Sequence, residues 1–310
     1  MKIPGLTITA NCLLNGWVAF TMAAIFMMGC DKFEGDQTIP SYLKIDSVGF
    51  ITDNDLQGTN NQKFADAWIY VDDDIIGGFE MPFTIPVLAE GLHKLEISPG
   101  IIINGISDTR APYPVIEPIV INDFNFITDS VIQAFGSTSY MSNVEFRWME
   151  DFEDASLAIL PSATSDTGIF RTYPSGAPGA FIDEYSEFSG ISYLDSNRKY
   201  MQLLSTDGNG QGFVFDRGDY VFLELNYRNS IPLVVGVYVQ LQDNTIEERP
   251  FLIINTSDDW NKIYINFTPI VYETVDAVNY KIYLEAQLDD LNETGFIMLD
   301  NIKLVTRPNL

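Results

Sequence analysis

From Tyr42 to the end of the chain, apolar residues recur in short alternating runs and nowhere with the period of a helix. An amphipathic helix needs apolar side chains at i, i+3, i+4 and i+7, and no stretch here keeps that pattern for three turns. The clearest run is Tyr280 to Leu288, where Ile282, Leu284, Ala286 and Leu288 alternate with polar or aromatic neighbours. Such a period of two places one set of side chains on one face of a strand. Tyr220 to Tyr227 alternates in the same way, and Leu233 to Gln242 reads as a buried strand. Many short strands separated by turn residues predict an all-β chain built as sandwiches or barrels.

A length of 310 residues suggests two domains. The first spans residues 43–143. Ala67 to Val71 is a strand, Asp72-Asp73-Asp74 starts the turn out of it, and Ile75 to Phe79 returns. Pro82 to Pro86 bridges to a strand at Leu92 to Ile97. Pro99, Pro112, Pro114 and Pro118 are expected to break the segment after Ile97 into loops, because proline cannot donate to a central ladder. The order strand, acidic turn, Gly, Pro, then Ala89-Glu90-Gly91-Leu92-His93 resembles the small PEGA-like (Ig-like) β-sandwich of surface proteins, over about thirty residues and without that family's namesake tetrapeptide.

The second domain spans residues 144–310. Its opening Phe152-Glu153-Asp154, its central Asp259-Trp260-Asn261-Lys262-Ile263-Tyr264-Ile265 and its closing Leu299-Asp300-Asn301-Ile302 resemble a galactose-binding-like or carbohydrate-binding-module jelly roll. The resulting fold expectation is all-β, a small β-sandwich followed by a β-jelly-roll domain. A fold of this kind does not by itself give a function.

The first thirty residues have a different texture. Lys2 is the one charge before Asp31, and the apolar run Leu13 to Met28 ends in Met27-Met28-Gly29-Cys30. A charged start, an apolar stretch too short to span a bilayer and a small residue before the cut describe a secretory signal over residues 1–29. Met-Met-Gly-Cys resembles a bacterial lipobox, with Met where Leu is usual three places before the cysteine. The resemblance implies that Cys30 is acylated and anchored in outer-membrane lipid. Residues 30–42 read as an acidic tether, and Asp31 to Asp36 is similar to the export tag of Bacteroidetes surface lipoproteins. The implied address is the outer membrane, facing the cell exterior. Asp46-Ser47-Val48 and Asp129-Ser130-Val131 are similar to the O-glycosylation acceptor of the same group, which implies Ser47 and Ser130 as modified positions. The chain has two cysteines, Cys12 and Cys30, so the mature part is expected to hold no disulfide.

Charge and histidine content narrow the chemistry. With 17 Lys and Arg against 43 Asp and Glu, the formal net charge is -26, and such a surface repels nucleic acid. His93 is the single histidine, which argues against a Ser-His-Asp triad and against a multi-histidine zinc site. A glycosidase needs two carboxylates facing across a bond, and no pair here is marked out by sequence. Asp207 to Gly212 has the first half of an EF-hand loop, but Gly218 stands where the bidentate Glu belongs. No cofactor is required. The jelly-roll resemblance implies one structural Ca2+, for which Glu153 and Asp300 occupy the matching positions; the competing role is a strand cap for Asp300 and a solvent-facing Glu153. Trp68, Trp148, Trp260, Tyr113, Tyr193 and Tyr227 offer aromatic faces for sugar rings. Trp68 and Trp260 are expected to be core, and Tyr113, between Pro112 and Pro114, is the expected exposed ligand-binding residue.

Taken together these features predict a surface-exposed outer-membrane lipoprotein that is not an enzyme. It would act as an accessory or interaction subunit of an outer-membrane complex for β-barrel assembly, secretion or uptake. Its partners would be an outer-membrane β-barrel protein or other lipoproteins. The alternative is a glycan-binding lipoprotein, and a second alternative is a glycoside hydrolase-like enzyme.

Overall fold

The computed structural model describes residues 39–173, 179–206, 210–289 and 293–309. The signal segment, Cys30 and most of the acidic tether lie outside the described residues, as do Asp207, Gly208 and Asn209 of the half EF-hand loop. The chain divides into a unit of residues Met1–Pro40 and a compact unit of residues Ser41–Leu310. Every described strand belongs to the second unit.

The first module runs β1 (Ser41–Ile45), β2 (Gly49–Phe50), a short helix α1 (Asn54–Gln57), β3 (Asp66–Val71), β4 (Asp74–Glu80) and β5 (Phe83–Val87). It continues with β6 (Gly91–Ile102), β7 (Arg110–Pro112), β8 (Ile119–Phe126), β9 (Val131–Gln133) and β10 (Ser137–Thr138). One sheet has the order β4-β3-β6-β7, with β8 also paired to β6, and the facing sheet is β5-β1-β9. Alternation explains the layering. Ala67, Ile69 and Val71 of β3, Leu95 and Ile97 of β6, and Leu43 and Ile45 of β1 meet in one core. Pro99 does not break its strand as expected. It lies opposite Ala67 inside β6, and its carbonyl accepts from Tyr113 N (2.9 Å). Pro112 likewise ends a strand, opposite Gly100. Proline is missing only a donor, and its carbonyl remains available to a ladder.

The second module holds β11 (Glu145–Glu150), β12 (Ile159–Pro161), β13 (Phe170–Thr172), β14 (Ser189–Asp195), β15 (Tyr200–Ser205), β16 (Tyr220–Asn229) and β17 (Leu233–Leu241). After these come β18 (Ile246–Ile254), β19 (Ser257–Asn266), α2 (Thr268–Glu273), β20 (Ala277–Gln287) and β21 (Thr294–Arg307). Two antiparallel sheets, β13-β14-β21-β16-β19 with β11 on β21, and β12-β15-β20-β17-β18, form the jelly roll. Their inner faces share one core that includes Leu223 and Leu225 of β16, Val235 and Val237 of β17, Ile282 and Leu284 of β20 and Leu299 and Leu304 of β21.

The two modules are joined by a third core. Ile101, Tyr113, Val115 and Tyr140 of the first pack on Phe222, Tyr264 and Val305 of the second. A carboxylate sits inside it. Glu224 is 1 % exposed; its Oε1 accepts from the hydroxyls of Tyr113 and Tyr140, both at 2.8 Å, and its Oε2 pairs with Lys262 Nζ at 3.1 Å. Beside it, Lys303 Nζ donates to Thr59 O at 2.6 Å, and Thr59 Oγ1 donates to Asn301 Oδ1 at 2.8 Å. Two phenols of one module and a lysine of the other thus share one buried anion, which only paired charges and full hydrogen bonding can hold there.

Candidate functional site

The inner faces of β15, β17 and β20 feed the jelly-roll core, so period two sends the intervening side chains to the outer face. On β15 these are Tyr200, Gln202 and Leu204, on β20 Asn279, Lys281, Tyr283 and Glu285, and on β17 Gly236, Tyr238 and Gln240. Strand register lines them up: Gln202 lies opposite Glu285 and Leu204 opposite Tyr283. Across the next pair, Tyr283 lies opposite Gly236, Lys281 opposite Tyr238 and Asn279 opposite Gln240.

Gly236 lets this face close up. A Cβ there would lie 2.3 Å from Tyr283 Cζ, so the Tyr283 ring lies over bare backbone and forms a floor. The Tyr238 ring packs against it, with centroids 4.9 Å apart and planes tilted by 40°. Gln202 Nε2 donates to Tyr238 Oη (2.8 Å) and to Glu285 Oε2 (3.0 Å), and Tyr200 Oη donates to the same carboxylate oxygen (2.8 Å). Burial first, then the Glu285 hydrogen bond and charge, push the Tyr200 phenol up. Burial and the charges of Glu248 and Glu285 do the same to Tyr283. All three phenols are therefore neutral at ordinary pH, Tyr238 being raised by burial as well.

Beside this floor runs a groove of about 350 Å³ whose lining includes Leu204, Gln211, Tyr238, Gln240, Asn279 and Lys281. Asn279 Nδ2 donates to Gln240 Oε1 at 2.7 Å and Lys281 Nζ donates to Gly210 O at 3.1 Å. Amides that offer donors and acceptors side by side, next to a half-buried aromatic ring, suit a ligand that is rich in hydroxyls and has apolar C–H faces.

The residues singled out from sequence are scattered. Tyr113 is not exposed: it is 3 % accessible, its ring meets Phe222 and Tyr264 at 5.2 and 5.1 Å, and its hydroxyl is spent on Glu224. The flanking prolines do make a loop, but the second module covers it. Trp148 is core, with Nε1 donating to Ala158 O at 2.9 Å. Tyr227 is also buried, whereas Tyr193, on β14 of the same sheet, is exposed. Trp68 and Trp260 are half-buried rather than fully core. Trp68 packs against Gly78, and Trp260 meets Phe181 edge-on at 5.6 Å. His93 is a structural residue of β6, paired with Asp72 at 2.6 Å. That bond, then the Glu90 carbonyl, holds its ring more basic than usual. Ser47 is exposed and Ser130 half-exposed.

Glu153 and Asp300 both hold the 186–189 segment, Glu153 through its backbone amides and Asp300 through its serines. Asp300 Oδ2 accepts from Ser186 (3.0 Å) and Ser189 (2.7 Å), Oδ1 accepts from Asn301 N (2.6 Å), and burial pushes its carboxyl well up. Glu153 Oε1 accepts from two backbone amides, Glu187 N and Phe188 N. Arg171 donates to the Phe152 and Glu153 carbonyls at 2.6 and 2.7 Å. These oxygens are thus turned toward hydroxyls, amides and a guanidinium, which is not the convergent oxygen cage a hard cation takes. Among the described residues no group of three or more His, Cys, Asp or Glu is placed to hold a metal.

No family model matches the chain, and no curated protein matches it either. Solved structures similar to it include the CBM22-1 xylan-binding domain from Paenibacillus barcinonensis Xyn10C, at 11 % identity and a TM-score of 0.38, covering 55 % of this chain and 99 % of that one. The CBM22-2 xylan-binding domain of the same protein shows 14 % identity and a TM-score of 0.36, over 52 % and 99 % of the two chains. The family 11 carbohydrate-binding module of Lic26A-Cel5E from Clostridium thermocellum shows 13 % identity and a TM-score of 0.32, over 50 % and 92 %.

Proposed function

We propose that this protein is a glycan-binding lipoprotein that takes its ligand in the groove on the outer face of β15, β20 and β17 and does not cleave it. The observation that carries the reading is the row Tyr238, Gln240, Asn279 and Lys281 along one recess, set on a hydrogen-bonded floor of Gln202 and Glu285. The glycan reading takes precedence over an accessory subunit of an outer-membrane complex because it has a built recess, whereas the subunit reading rests on sequence alone.

Titration calorimetry of the wild-type protein against a panel of polysaccharides tests it. Tyr238→Ala and Asn279→Ala are each expected to weaken the best ligand about tenfold, a loss of roughly 1.4 kcal/mol, measured in urea-free buffer where both variants remain folded; Tyr238→Ala also lowers the urea midpoint because its ring packs on Tyr283. Unchanged affinity in both would overturn the site, and release of reducing sugar from the ligand would overturn the non-catalytic role. The lipid anchor on Cys30 is tested separately: labelled palmitate is expected to enter the wild-type chain and not Cys30→Ala.

A further inference from the structure

The end of the first module at which the chain enters carries aliphatic side chains that its core does not use. Ser41 opens β1 opposite Val87, and its hydroxyl donates to Ala89 O at 2.7 Å. Tyr42 lies opposite Val131 on the other side, and its N donates to Ser130 O at 2.9 Å. These bonds hold the 88–90 and 127–130 loops on either side of the first residues of β1. Between β6 and β8, Gly91 faces Phe126 and Leu92 faces Asn125, so the two loops belong to the same end. Around that end Leu88 is 72 % exposed, Leu92 66 %, Val131 61 % and Ile127 49 %. Their neighbours Val87 and Phe126 already fill the core. A single exposed aliphatic residue needs no explanation, but four gathered at one end of a small module do.

The chain itself says what covers them. Ser41 follows Cys30 by eleven residues, which reach at most about 40 Å even when fully extended. An acyl anchor on Cys30 would therefore keep this end, rather than any other part of the body, against the lipid. We propose that Leu88, Leu92, Ile127 and Val131 form a rim that rests in the interfacial layer of a zwitterionic lipid surface, giving the protein a second point of attachment. The headgroups are zwitterionic because Glu90 and Asp129 are exposed beside the rim and the chain carries a net charge of -26; an anionic surface would repel both. With two points of contact, the body is held at a set tilt to the lipid. This inference rests on the anchor half of the proposed function and is independent of the glycan half.

Single cysteines carrying an environment-sensitive fluorophore test it in the full acylated chain, since Cys30 is the one cysteine left after the signal is removed and acylation blocks its sulfur from labelling. Leu88→Cys and Ile127→Cys report on the rim, and Ser107→Cys, in the exposed 105–109 segment beyond the other end of β6, is the control. In phosphatidylcholine–phosphatidylethanolamine vesicles the rim labels are expected to shift to the blue and to be quenched by brominated lipid, and the Ser107 label to do neither. Replacing part of the lipid with phosphatidylglycerol is expected to reduce the quenching. Rim labels that stay as water-exposed as the control, in a chain shown to carry palmitate, overturn the inference while the anchor stands. Rim labels shielded in cells but not quenched in vesicles also overturn it, in favour of a protein contact. A chain that takes up no palmitate removes the anchor and the inference together, and the palmitate signal tells that case from the others.

Discussion

Glu224 is the residue on which most of the junction converges. Burial alone would raise its pKa, but Lys262 and Lys303, with the hydrogen bonds from Tyr113 and Tyr140, reverse that and hold it below the usual carboxylate range. Removing one partner of a buried pair strands the others, so Glu224→Ala is expected to cost about 3–5 kcal/mol in urea denaturation. Tyr113→Phe, which deletes one of two phenol donors, should cost about 1–2 kcal/mol. Neither change should alter glycan affinity, because the groove lies on the other sheet of the jelly roll. Lys303 is the pH-sensitive member. Burial outweighs the attraction of Glu224 and lowers its amine to about 7. Between that value and the ordinary lysine range the unfolded chain binds more protons than the folded one, so stability should rise with pH over that window. Below about 7 the cost of holding a charged Lys303 is complete. Thermal midpoints measured from about pH 6 to about pH 10 are expected to climb in the wild type and to stay flatter in Lys303→Met.

At the scale of elements, two local devices shape the strands that matter. In β21 the register with β16 slips between Glu224 and Asn226, and Asn301 takes φ 48° at that point. Asparagine tolerates the left-handed region better than most residues, and here its side chain also accepts from Thr59. Asn301→Ala should lose both advantages and lower stability by about 1–2 kcal/mol, read as a shifted urea midpoint with an unchanged slope. In β17, Gly236→Ala is expected to displace the Tyr283 ring that floors the site and weaken glycan binding, because the new methyl would overlap the phenol ring. The strand at Tyr280 to Leu288 was legible from alternation alone and appears as Ala277–Gln287. Its outward residues Lys281, Tyr283 and Glu285 were legible by the same rule, but nothing local ties them to Tyr238 or Gln202, which are brought alongside by pairing across strands far apart in sequence.

For the whole molecule, the consequence is that two modules behave as one body. Phe222, Tyr264 and Val305 of the jelly roll are covered by residues of the first module, and Lys63 N donates to Tyr264 Oη at 2.9 Å across the junction. Urea unfolding followed by tryptophan fluorescence and by far-ultraviolet dichroism is expected to give a single coincident transition. Residues 144–310 expressed alone should be less stable than in the full chain, since Glu224 would lose the hydroxyls of Tyr113 and Tyr140 and Lys303 would lose the Thr59 carbonyl.

The amino-acid sequence by itself determined the all-β class and the strands around Tyr220, Leu233 and Tyr280, because alternation and turn residues act within a few neighbours. It also marked Cys30 and the apolar stretch before it. Tertiary structure alone decided that Tyr113 is buried at a junction, that the oxygens near Asp300 face hydroxyls and a guanidinium, and that Tyr238, Gln240, Asn279 and Lys281 share a groove. Those outcomes depend on strand register and on one module covering another, and neither is written in the spacing of residues along a single strand.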